Sequence, residues 1–270
     1  MEYDYLREHA LHALLISDPK TKATYIKQLH QQGPWQVGAD LAIQEPSQGV
    51  PGRPQKPDIV PPQQVKQRSL NTPEGRATLL HALAHIEFNA INLALDIIWR
   101  YADMPDAFYG DWLCVAYEEV LHFELLNQRL KTMGYVYGDF PAHDGLWDMA
   151  ERTKHDLVAR LALVPRTLEA RGLDACPVVR AKLAQAGDED SAAILDIILR
   201  DEVGHVALGN KWYHWICLQK DLDAVLLYPD LAEQYRAPRL RGPFNLPARR
   251  AAGFQPEELD YLEKQAQLKN

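Results

Sequence analysis

The stretch "LRDEVGHVALG", residues 199–209, sets Glu202 and His205 three positions apart in a segment with the texture of a buried helix. The stretch "AYEEVLHFEL", residues 116–125, repeats the arrangement with Glu119 and His122. On a helix, positions i and i+3 share a face, so each carboxylate–imidazole pair can grip one ion. With 16 glutamates and 10 histidines in 270 residues, chance alone supplies about 0.6 such pairs. The pairs therefore need support from their surroundings, and the register of the helices gives it.

"NTPEGRATLLHALAHIEFNAINLALDIIWRYADMP" opens with a helix start signal: Thr72 as cap, Pro73 in the first turn and Glu74 at the positive end. Its apolar stripe at 80, 84, 87, 91, 94 and 98 is interrupted by one acid, Glu87. The next helix, about 106–133, has a stripe at 112, 115, 119, 122 and 126 that contains both Glu119 and His122. A carboxylate in a core stripe costs several kcal/mol (~2–5) unless something neutralises it. Outward and return paths around Pro105, at about 1.5 Å per residue, bring Glu87 and Glu119 to similar height. Glu87 and Glu119 are 32 residues apart, and Glu169 and Glu202 are 33 apart. The chain thus reads as two copies of a glutamate followed by Glu-x-x-His. This is the ligand pattern of dinuclear carboxylate bundles, in which two divalent ions cancel four carboxylates.

A third helix is expected from Leu146 to at least Ala170, with Pro165 as a kink and Gly172 as a terminator. A short piece at 177–186 follows, then a fourth long helix through "GDEDSAAILDIILRDEVGHVALGNKWYHWICL". Few segments alternate with period two, so no sheet is expected. The predicted fold is all-α: an antiparallel four-helix bundle over 74–220, with an N-terminal part, 1–73, and a C-terminal extension, 221–270. Two short helices fill 3–31. Eight of the 18 prolines fall between Gly33 and Pro73, which makes this segment an extended arm wrapped on the bundle. The tail adds helices at 221–235 and 256–268, separated by the coil "RAPRLRGPFNLPARRAAG".

Several segments carry a family resemblance. "FPAHDGLWDMAERT", "VPRTLEARGLDACP", "LRDEVGHVALG" and "PFNLPARRAAGF" resemble a bacterial ferritin-like family of unknown function, across most of the chain. Residues 70–220 resemble the ferritin-like superfamily more broadly. "LEARG" is similar to the third-helix ligand segment of the tRNA hydroxylases of that superfamily. The resemblance selects Glu169 over Glu151, the other acid of that helix, as the third-helix ligand. The metal ligands expected are then Glu87, Glu119, His122, Glu169, Glu202 and His205. Carboxylates with two imidazoles and no thiolate suit two iron ions, with manganese as the second option. Each motif also has an acid immediately before its glutamate. Asp201 is expected to hold His122, and Glu118 to hold His205, each across the bundle. His81, His85 and the aromatics Trp99, Tyr101, Trp112, Tyr117, Trp212, Tyr213 and Trp215 read as packing residues.

The functional expectation is an O₂-dependent oxidase or hydroxylase, a di-iron oxidoreductase acting on a small molecule or a modified nucleotide. The alternatives are an iron-handling protein whose ferroxidase step is its whole activity, and a metal-free structural bundle. Expected partners are a small-molecule substrate and an electron donor, with a homodimer as a further option. The net charge of −8 argues against nucleic acid as a partner. Arg249 and Arg250, in the tail coil, are candidates for holding an anionic substrate or a structural acid beneath a lid. Three scattered cysteines give no disulfide framework. With no basic flank and apolar run at the N-terminus, and no stretch of about 20 apolar residues, a cytoplasmic location without a membrane is expected.

Overall fold

The computed structural model describes residues 4–66 and 68–267; residues 3 and 268, the outer bounds expected for the first and last helices, lie outside them. The architecture is all-helical. Among the described residues the sole β pairing is an isolated bridge between Ile59 and Ala142. No described helix is long and apolar enough to cross a membrane. The chain divides into two compact units, 1–145 and 146–270.

In the first unit, α1 (Leu6–Leu15) and α2 (Pro19–Gln32) pack on a hairpin of two long helices, α3 (Pro73–Arg100) and α4 (Asp106–Thr132). The caps are those the sequence offers. Asp18 accepts from the Thr21 amide and Thr72 from the Gly75 amide, which satisfies orphan donors at the starts of α2 and α3. Arg7 ties three segments together. It is 1% exposed and donates to the Ile98 and Trp99 carbonyls at the end of α3, at 3.3 and 2.7 Å. It also donates to the carbonyls of Gly38, Ala39 and Leu41 in the arm. A guanidinium at a helix C-terminus meets both the unsatisfied carbonyls and the negative end of the dipole. Between α2 and α3 the arm contains one 3₁₀ turn, Pro62–Gln64, and is otherwise non-helical. It is tied down by backbone bonds from Gly52 to Leu14 and from Val60 to Ala142.

In the second unit, the expected third helix is broken. Helix α5 (Gly145–Thr153) stops, and Asp156 caps a new helix, α6 (Leu157–Leu163), by accepting from the Ala159 amide. A π-helical turn, Val164–Glu169, leads into α7 (Ala170–Gln185). Gly172 therefore does not terminate a helix, and 177–186 is no separate piece. Pro165 has no N–H to give an i→i−4 bond, and the widened turn accommodates it. Thr167 Oγ1 donates to the Ala162 carbonyl at 2.8 Å, five residues back. Helix α8 (Glu189–Gln219) packs on α6, α7 and the π turn.

Two more helices, α9 (Ala224–Gln234) and α11 (Pro256–Gln267), lie where the tail pattern placed them. The tail coil, expected to lack regular structure, contains a short helix, α10 (Leu246–Ala251). Asn245 caps it and Pro247 occupies its first turn, where a missing N–H costs nothing. Ala252, Phe254, Leu259 and Leu262 of the tail form one apolar cluster with Ala170 and Leu173 of α7 and Val206 of α8.

Candidate metal centre

Helix α3 presents Glu87, and α4 presents Glu119 and His122 one turn apart. One ligand atom from each of these three lies within 4.8 Å of the others. They are 4%, 1% and 1% exposed. His122 Nδ1 is 3.2 Å from Glu87 Oε2 and 3.4 Å from Glu119 Oε2, so one imidazole nitrogen serves two carboxylates. Burial opposes a charge on His122, but the hydrogen bonds and charges of Glu119 and Glu87 outweigh it and push the imidazole up to about 11. Two carboxyls against one imidazole leave these three side chains richer in acid than in base. Ala84, Ile91 and Ala94 of α3, with Val115 and Leu126 of α4, are all buried and line the same stripes.

This is a donor set fitted to a hard or borderline divalent cation. It offers carboxylate oxygens and an imidazole, holds no thiolate and lies out of water. An excess of acid in an apolar environment is what such a cation neutralises.

The second unit carries the matching motif on α8. Glu202 is 9% and His205 1% exposed, with His205 Nδ1 3.6 Å from Glu202 Oε1. Glu169 is the last residue of the π turn and is half-buried. Its neighbour Ala170, and His205's neighbour Val206, are fully buried in the cluster that the tail covers. Gly209 of α8 permits a close approach here: a Cβ at that position would lie 2.7 Å from Pro165 Cβ. The π turn thus sits directly against the helix that bears Glu202 and His205. Glu151, the alternative to Glu169, is half-buried and pairs with Lys154 at 3.2 Å.

Of the two acids preceding the motifs, Glu118 is half-buried, and Asp201 accepts from the Arg200 guanidinium at 2.7 and 3.0 Å. Arg250 is exposed, whereas Arg249 is fully buried and pairs with Asp174 at 2.6 Å. His81 and His85 are buried packing residues, each with a hydrogen bond to the segment after α4. The former accepts from the Gly138 amide at 2.8 Å and the latter pairs with the Tyr137 hydroxyl at 2.8 Å. The three cysteines are not disulfide-bonded to one another.

Sequence reasoning missed Arg166, which is 3% exposed and lies three residues before Glu169. The signal was available. "ALVPRTLEA" sets one cation in an apolar run, the kind of interruption that exposed Glu87.

A relative from Haemophilus influenzae, described as an uncharacterized protein, is 47% identical over 261 residues, covering 93% of this chain and 91% of its own. No solved structure matches the chain at a significant level. The model of the family described as "Protein of unknown function (DUF455)" matches residues 15–260, and the chain belongs to that family.

Proposed function

We propose that this protein is a dinuclear metalloprotein of the ferritin-like type, and that it is an O₂-dependent oxidase or hydroxylase. In this reading Glu87, Glu119 and His122 form one half of the ligand set, and Glu169, Glu202 and His205 form the other. The metal is iron, with manganese as the second option, and the substrate is a small molecule or a modified nucleotide. The observation that carries the reading is the convergence of Glu87, Glu119 and His122 within 4.8 Å in a buried, otherwise apolar stripe.

Bound iron(II) would supply the electrons that activate O₂. The chain's own part is to hold and shield. Glu87 and Glu119 would hold the metal through their carboxylate oxygens. His122 gives up its proton when it becomes a ligand. The apolar residues of α3 and α4 limit water around the carboxylates, which strengthens their hold on a cation. Glu118 and Asp201 are proposed to orient the two histidines across the bundle.

Metal analysis of the purified protein, followed by O₂ consumption of the Fe(II)-loaded form, tests the reading. About two iron or manganese ions per chain are expected, together with O₂ uptake that Glu119→Ala abolishes. Protein that retains no metal after loading and desalting would overturn it. Oxidation of added Fe(II) with accumulation of ferric ions, and no effect of any organic substrate, would assign the iron-handling role instead.

A further inference from the structure

A cleft in the second unit carries chemistry that the metal reading does not use. Arg166, Arg249, Glu258, Tyr228, Tyr261 and Phe254 line it, and it spans about 360 Å³ with its open mouth included. Both arginines are buried, at 3% and 0% exposure. Their guanidiniums flank one ring, with their central carbons 5.3 and 5.2 Å from the Phe254 centroid.

The two cations differ in how they are satisfied. Arg166 donates through Nε to Asn210 and through Nη2 to Glu258. Arg249 donates through Nε and Nη2 to Asp174, at 3.1 and 2.6 Å, and through Nη2 to the Ala170 carbonyl at 3.3 Å. Its Nη1 is buried and has no hydrogen-bond partner among the described residues. A buried charged donor left unmade is costly, and such a group in a native structure calls for a partner, whether ligand, ion or ordered water.

Glu258 cannot complete it. That carboxylate already takes Arg166, lies 3.7 Å from His214 Nε2, and accepts from the Gln255 amide at 2.8 Å. Burial opposes its charge, but His214 and Arg166 outweigh that and hold it below the usual carboxylate range.

We propose that this cleft binds a small organic monocarboxylate, with the carboxylate on Arg249 Nη1 and an aromatic or branched apolar body against Phe254, Tyr228 and Tyr261. Arg166 is paired with Glu258 and Arg249 with Asp174, so the ligand is recognised by the open donor and the apolar walls rather than by a surplus of charge. Asp174, outside the lining, already occupies the other edge of Arg249. A phosphate would bring up to two charges and a tetrahedral set of acceptors to a single open donor, and it fits less well. The inference stands on the second unit alone and does not depend on the metal reading. It does connect to it in sequence, since Arg166 precedes Glu169 by three residues and Asn210 follows His205 by five.

Calorimetric titration of the full chain with phenylacetate and 4-methylpentanoate tests the proposal, with phenylacetamide and inorganic phosphate as comparisons. Saturable binding of at least one acid is expected, at least tenfold tighter than the amide or phosphate. Val225→Trp, which fills the cleft and leaves both arginines in place, should weaken it tenfold or more. The paired change Asp174→Asn with Arg249→Met removes the donor without leaving an unpaired buried charge, and it should have the same effect. Failure of both acids to bind, equal binding of acid and amide, preference for phosphate, or binding unmoved by Val225→Trp would each overturn the proposal.

Discussion

Glu87 Oε2 lies 3.2 Å from His122 Nδ1 across 35 residues of chain, and Glu119 Oε2 approaches the same nitrogen at 3.4 Å. Two acids share one imidazole, so these three side chains hold more acid than base out of water. Gathering carboxyls in a buried place is costly, and a bound cation would offset that cost.

Glu119→Gln should therefore separate metal binding from stability. One carboxylate remains for His122, and the second buried acid is gone. Metal capacity is expected to fall to less than half. The metal-free protein should melt no lower than wild type, and up to a few degrees higher for a gain of about 1 kcal/mol. Wild type should in addition gain melting temperature on loading, by linkage. Scanning calorimetry of both proteins, with and without Fe(II) under anaerobic conditions, reads all of these. A metal-free variant melting well below wild type would show the carboxylate to be structural.

Arg7→Ala should loosen the first unit at one place. Five carbonyls would lose their donor, two at the C-terminal end of α3 and three in the arm. The expected cost is about 3 kcal/mol, since these are buried, charge-assisted bonds. Hydrogen exchange should speed up in peptides covering 36–42 and the last turns of α3, with little change in α8. Equal acceleration in both units would contradict a local role.

The cluster of Glu87, Glu119 and His122 was legible because every step was local. A stripe of period 3.6 placed Glu87, Glu119 and His122 on inward faces, and a short turn at Pro105 fixed their heights. What resisted reading depended on distant partners. Arg7 and Arg166 are residue types that favour the surface, and their burial is decided by acceptors tens of residues away. The break at 154–156 and the helix at Leu246–Ala251 are short, and short helices are stabilised mainly by packing rather than propensity. Pro165 announced a disturbance, but the room that its turn needs against α8 rests on Gly209, 44 positions later.

That contact is testable. Gly209→Ala would place a Cβ 2.7 Å from Pro165 Cβ and 3.0 Å from its Cγ, in a segment with no flexible side chain to yield. Destabilisation of about 2 kcal/mol is expected, despite alanine's better helix propensity. Pro165→Gly removes the facing atoms at its own cost. The double variant should lie at least about 1 kcal/mol above the sum of the single changes. Urea unfolding of the four proteins measures the coupling, and strict additivity would mean that the helix moves aside freely.

The acid side of the stability profile should bear the mark of His81. The ring is 0% exposed and accepts from Gly138, an arrangement that requires Nε2 to be unprotonated. Burial first, then the neighbouring His85, lowers its pKa to about 4, with Asp139 opposing. In the unfolded chain the same group titrates near 6.5. Between these values the unfolded state binds the extra proton, so stability rises with pH across this window. The contribution is fully present above about 6.5, declines as pH falls, and is gone below about 4. For a shift of this size it amounts to roughly 3 kcal/mol. His81→Gln keeps an acceptor for Gly138 but cannot titrate. The wild-type loss of protection in α3 between pH 7 and pH 4.5, read by hydrogen exchange corrected for intrinsic rates, should shrink by about 2 kcal/mol in the variant. Carboxylates elsewhere contribute equally to both proteins and cancel in the comparison. Parallel pH profiles for wild type and variant would show that His81 titrates alike in the folded and unfolded chain.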